Sequence, residues 1–132
     1  MKFIKLLILA TVACVAVSCS KGELHGDLEG NWQIMQVTDP EGKDMEVIPQ
    51  RYYSIMRDVI QLRIYGDRIS TGALSYSEPY LTLDFPYEED FANYPITEWW
   101  ILENPVTMKV VKLDKKTLEL DENGYRILCR RF

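Results

Sequence analysis

From Gly30 onward, apolar and polar residues alternate in short runs separated by turn residues, the pattern of strands buried on one face. Trp32, Ile34 and Gln36 share one face of a first strand, against Asn31, Gln33, Met35 and Val37 on the other. Asp39-Pro40-Glu41-Gly42-Lys43 ends it, because proline fixes φ and glycine accepts positive φ. Residues 45–57 carry two readings. Ile48, Tyr52, Ile55, Met56 and Val59 fit a helical face, whereas Tyr52 and Tyr53 favour a strand. Val59 to Tyr65 is a strand stopped by Gly66-Asp67, and Arg68 to Tyr76 returns beside it as a hairpin. Tyr80 to Phe85 is the next apolar stretch. Pro86 to Pro95 is a long loop holding Glu88-Glu89-Asp90, and long loops in small domains are often functional. Ile96 to Leu102 is a short strand or one helical turn.

Three strands close the chain: Val106 to Leu113, Thr117 to Asp121 and Tyr125 to Phe132. The last two are joined through Asn123-Gly124, the strongest hairpin signal present. The pattern therefore predicts an all-β meander of seven or eight antiparallel strands. Such a meander leaves exposed edges unless it closes, and a closed barrel removes them.

The first residues read differently. Lys2 and Lys5 precede an uncharged apolar run from Leu6 to Val17, too short to span a bilayer and ordered like a secretory signal. Ala16-Val17-Ser18-Cys19 resembles the lipobox of bacterial lipoproteins, with Cys14 as a rival. The resemblance implies cleavage after residue 18 and acylation of Cys19. One acyl chain holds a protein only marginally, at roughly 0.8 kcal/mol per buried CH₂, but two or three hold it almost permanently. Ser20-Lys21-Gly22-Glu23 resembles the tag that sends some Bacteroidetes lipoproteins to the cell surface. The expected organisation is a signal peptide over 1–18, a lipidated tether over 19–28 and a barrel over 29–132. The expected place is the outer membrane, on its periplasmic face or the cell surface.

Leu28-Glu29-Gly30-Asn31-Trp32 resembles the Gly-x-Trp strand that opens lipocalins. Val111 to Leu120 is similar to the penultimate hairpin of lipocalin-like lipoproteins from Bacteroidetes. The likeness implies a lipocalin-like barrel in which Trp32 plugs the closed end and a late arginine, Arg126 or Arg130, packs across it. A cation over an indole contributes about 0.5–2 kcal/mol.

Composition narrows the chemistry. The 132 residues carry a net charge of −5, which speaks against a nucleic-acid partner. His25, the single histidine, lies in the tether, so no Ser–His–Asp site and no zinc spacing arise. Removal of the signal takes Cys14, and lipid takes Cys19. Cys129 then has no disulfide partner, and its apolar surroundings read as a buried, inert thiol. Glu88-Glu89-Asp90 with Asp84 could gather calcium, but the order of a calcium loop is missing and a solvated acidic loop is the favoured reading. No cofactor, metal or catalytic residue is expected. The suggestive feature is a crowd of rings: Tyr80, Phe85, Tyr87, Phe91, Tyr94, Trp99 and Trp100. At a barrel mouth these would take a small apolar ligand; otherwise they cover one end of the core. The expected function is a non-enzymatic, membrane-anchored binder of a small ligand or envelope protein. The rival is an accessory subunit with a filled barrel, and a weaker third is an inhibitor presenting the 86–95 loop to a protease.

Overall fold

The computed structural model describes residues 25–132. Residues 1–24, with the expected signal peptide, Cys19 and the segment that resembles a surface tag, lie outside the described part. Nine strands follow in order: β1 (Gly30–Thr38), β2 (Asp44–Met45), β3 (Arg51–Met56), β4 (Val59–Ile64), β5 (Asp67–Ser77), β6 (Tyr80–Asp84), β7 (Val106–Leu113), β8 (Thr117–Glu122) and β9 (Tyr125–Arg131). Each long strand pairs antiparallel with the next, and β1 also pairs with β9, which closes an eight-stranded barrel. The two-residue β2 is appended outside that ring on β1.

The two readings of 45–57 resolve as strand. Arg51–Met56 pairs on one side with β1 and on the other with β4, so Tyr53 and Ile55 face inward. Ladder hydrogen bonds on both edges outweigh the helical spacing of a few apolar residues. Residues 96–99 form a 3-10 turn rather than a strand.

Along the barrel, every second residue enters the core. Leu81 and Leu83 do so on β6, Val106, Met108 and Val110 on β7, and Leu118 and Leu120 on β8. On β1 the alternation slips. The register with β9 shifts between Ile34 and Gln36, and this bulge turns Val37 into the core while Gln36 faces out. A single inserted residue reverses the faces of everything beyond it.

Gly72 marks the tightest approach inside. A Cβ at that position would lie 2.6 Å from the Phe85 ring and 2.7 Å from the Asp84 carbonyl. Both neighbours are fixed, one in the core and one in backbone. Gly72→Ala is expected to cost about 1–2 kcal/mol through overpacking, read as a lowered urea midpoint with an unchanged slope. An unmoved midpoint would mean that Phe85 can yield.

Strand directions divide the barrel into two ends. At the near end lie Gly26–Leu28, the start of β1, the end of β9 and the β3–β4, β5–β6 and β7–β8 hairpins. At the far end lie residues 39–50, the β4–β5 hairpin, the long segment 85–105 and the β8–β9 hairpin. The last residues of the segment expected as a tether over 19–28 are folded. Gly26–Leu28 form a 3-10 turn and Leu28 is fully buried, because its side chain completes the near-end core.

Candidate functional site

The far end is closed by the segment between β6 and β7. Glu88–Phe91 and Ile96–Trp99 form two 3-10 turns that fold across the barrel. Trp99 is fully buried and donates from Nε1 to the Arg63 carbonyl at 3.1 Å. The hydroxyl of buried Tyr53 donates to the Trp99 carbonyl. Trp100 has left-handed φ and ψ of 59° and 29°, so successive indoles diverge: Trp99 drops into the core, while Trp100 lies over the Tyr125 ring at 5.9 Å.

Side chains fix the same segment at both roots. Asn104 makes a two-way bond with the Phe85 backbone, accepting at 3.0 Å and donating at 2.8 Å. Ser70 donates to Asp90 at 2.9 Å, and Phe91 meets Phe85 edge-on at 6.1 Å. Arg51, almost buried, donates to Glu98 at 2.6 Å and lies 5.4 Å from the Trp99 ring and 5.8 Å from that of Tyr94. A partly buried ion pair of this kind orients the turn more than it stabilises the whole.

Beneath the plug sits Glu122, only 1% exposed. The Leu102 backbone N–H donates to its Oε1 at 2.9 Å, and its Oε2 is buried without a partner. Burial pushes its carboxyl up to about 7; the Leu102 bond pulls the other way and the charge of Glu103 adds to the rise. Tyr53 stands within reach of both Glu122 and Cys129, and burial raises its hydroxyl well above the ordinary tyrosine range. Burial likewise pushes the Cys129 thiol up, which keeps it protonated and unreactive.

The near end is built around one indole. Trp32 is fully buried and donates from Nε1 to the Leu28 carbonyl at 2.8 Å. The Arg131 guanidinium lies 4.4 Å over its ring and donates to the carbonyls of Asp27, Glu29 and Lys115 at 2.6, 2.8 and 2.6 Å. Gly30 makes room for this clamp. Its φ is +142°, and a Cβ there would sit 2.1 Å from Arg131 Nη1. The glycine and tryptophan of Gly-x-Trp thus serve one contact.

A family model described as a lipocalin-like domain matches residues 12–132. The chain belongs to that family. No curated protein matches this lipocalin-like chain. Two solved structures share its fold. A lipocalin-like protein from Bacteroides uniformis ATCC 8492 superposes with a TM-score of 0.65 at 20% identity, covering 81% of this chain and 100% of its own. An uncharacterized protein from Bacteroides eggerthii DSM 20697 gives 0.62 at 16% identity, covering 79% and 98%.

The lipocalin-like barrel separates the aromatic residues that the sequence groups together. Phe85 and Trp99 are core, Phe91 packs on Phe85, and Trp100 is half-buried. Tyr87 and Tyr94 are exposed at the far end. Tyr80 is exposed at the near end, because β6 starts there and runs away from it. The arginine over Trp32 is Arg131, neither Arg126 nor Arg130. Ile127, Cys129 and Arg131 share the inner face of β9, and Trp32 pairs with Arg131 in register. Arg126 instead pairs with Asp121 and Glu119, and Arg130 donates to Gln33, all on the outside. Among the described residues, no three His, Cys, Asp or Glu side chains gather as a metal ion requires. Arg51 and Glu122 escape the sequence reading because a charged residue at a strand end signals solvent. Their one trace is parity, since each falls in step with the inward residues of its strand.

Proposed function

We propose that this lipocalin-like protein is a non-enzymatic lipoprotein of the cell envelope, held by lipid on Cys19, that serves as an accessory subunit with a filled barrel. The observation that carries the reading is the far-end plug. Trp99, Phe85 and Tyr53 occupy the space a ligand would enter, and bonds to Arg63, Asn104, Ser70, Arg51 and Glu122 hold the plug down. What remains on its outer side is a partner-facing surface, with exposed Tyr87, Tyr94 and Leu102 beside Glu88 and Glu89. Aromatic residues are enriched at protein–protein contacts, and polar residues form their rim.

A photo-crosslinking residue at Tyr87 or Tyr94 in growing cells is expected to capture one discrete envelope protein, and at Lys109 on the barrel wall to capture none. Equal capture at all three positions, or none at any, would count against the accessory role. Cys19→Ala is expected to leave the protein unprocessed or soluble on detergent partition. An unchanged membrane fraction would remove the anchor.

A second reading, a small ligand that brings one polar group into the barrel, is favoured by the unpartnered Glu122 Oε2. Native mass spectrometry of membrane-extracted protein separates the two. The accessory reading expects the bare chain mass, and a released small molecule would favour the ligand.

A further inference from the structure

The near end of the barrel carries an exposed apolar rim beside the point where the described chain begins. Met56 is 72% exposed, Tyr80 54% and Val59 39%. Met56 and Val59 flank the β3–β4 turn and Tyr80 opens β6 after the next hairpin on this end. The third hairpin offers exposed Lys115 and Lys116. Exposed Arg57 stands beside exposed Asp58, and exposed Asp27, Glu78 and Asp114 add further acids, so the rim carries both signs of charge in near balance. The far end is different. Exposed Glu41, Asp67, Glu88, Glu89 and Glu103 outnumber exposed Lys43 and Arg68 there, which leaves that end net acidic.

Geometry limits what can cover the rim. The chain between Cys19 and His25 spans at most about 20 Å when fully extended. The eleven residues of β5 stretch roughly 35 Å, and with a barrel strand's tilt of about 40° this sets the far end roughly 25 Å further away. On the reading that Cys19 carries lipid, the near rim is therefore drawn to the bilayer. Acids around the far end are repelled by an anionic surface, whereas lysines at the rim are attracted and its exposed side chains gain from leaving water.

We propose that the near rim is a membrane-seating face: Met56, Val59 and Tyr80 dip into the headgroup layer, Lys115 and Lys116 meet lipid phosphates, and the barrel stands end-on. This rests on the lipid anchor of the proposed function. End-on seating presents Tyr87 and Tyr94 to partners away from the membrane. It differs from a barrel lying on its side, in which the outer groove lined by Tyr52, Met56, Tyr65 and Phe132 would face lipid along its whole length.

The test uses the mature lipidated chain in vesicles of phosphatidylethanolamine and phosphatidylglycerol. Acylation occupies Cys19, and Cys129 is buried, so a cysteine placed on the surface takes a nitroxide label alone. Labels go on Met56→Cys and Tyr80→Cys at the rim and on Tyr65→Cys at the far end. Collision with oxygen, which concentrates in lipid, is compared with collision with a water-soluble nickel chelate. The oxygen-to-nickel ratio is expected to be severalfold higher at both rim positions than at Tyr65. Ratios that match water at Met56 and Tyr80 in protein that stays on the vesicles would overturn the seating and leave the anchor standing. A lipid-like ratio at Tyr65 as well would replace end-on seating with a barrel lying on its side. Protein that washes off the vesicles would remove the anchor, and the seating with it.

Discussion

Trp32→Ala is expected to lower the free energy of unfolding by about 3–5 kcal/mol, the range for emptying a large buried aromatic site. The indole is fully buried, and three groups depend on it. Its Nε1 satisfies the Leu28 carbonyl, its face holds the Arg131 guanidinium at 4.4 Å, and its body fills the near-end core beside Leu28. Arg131 would keep its bonds to Asp27, Glu29 and Lys115 but lose the ring beneath it. Arg131→Met alone is expected to cost less, and the double variant less than the sum of both. The shortfall measures the cation–ring coupling, about 0.5–2 kcal/mol. Urea unfolding followed by far-ultraviolet dichroism reads all three. A Trp32→Ala midpoint at the wild-type value would show that the near end does not depend on this plug.

Glu122 sets the second large effect, and it appears only as the pH changes. The folded carboxyl titrates at about 7, against an ordinary 4.5. As pH rises from 4.5 to 7, the unfolded chain releases this proton while the folded chain retains it, so stability falls through that window. The loss totals about 3 kcal/mol and is constant above it. Glu122→Gln keeps an oxygen for the Leu102 N–H and cannot ionise. Relative to wild type, the variant is expected to gain about 3 kcal/mol between pH 4.5 and pH 7.5, whatever offset the new amide adds at the acid end. Denaturant melts at pH 4.5, 6 and 7.5 give the two curves. If they run parallel, the carboxyl does not titrate in this range.

Most of the barrel was legible because strands announce themselves by alternation and hairpins by their turn residues. Asp39-Pro40-Glu41-Gly42-Lys43 turns where its composition requires, with the Asp39 carboxylate accepting from the Glu41 and Lys43 N–H groups at 2.9 and 2.8 Å. Closure was legible from the need to satisfy two edges. What escaped was any property that depends on register between distant strands. Choosing Arg131 over Arg126 or Arg130 needs the β1–β9 pairing, which no local pattern encodes. The bulge at Met35 is equally silent, and it exchanges Gln36 for Val37 in the core. Trp99 and Trp100 show the same limit in a loop. Neighbours of identical chemistry, they part at one left-handed residue, and no periodicity says which goes inward.

Closure of β1 against β9 also decides how the molecule bears load. Both neighbours of β1 run opposite to it, β3 on one side and β9 on the other. A pull on His25 away from the barrel is passed through the Gly26–Leu28 turn to the start of β1 at the near end. It therefore slides β1 lengthwise between two ladders, so their hydrogen bonds resist together and cannot be peeled one by one. The Arg131 clamp on the Asp27 and Glu29 carbonyls lies ahead of those ladders and takes the strain first. A barrel built this way yields to a pull on its first strand by shear, with the far end mechanically isolated from the load.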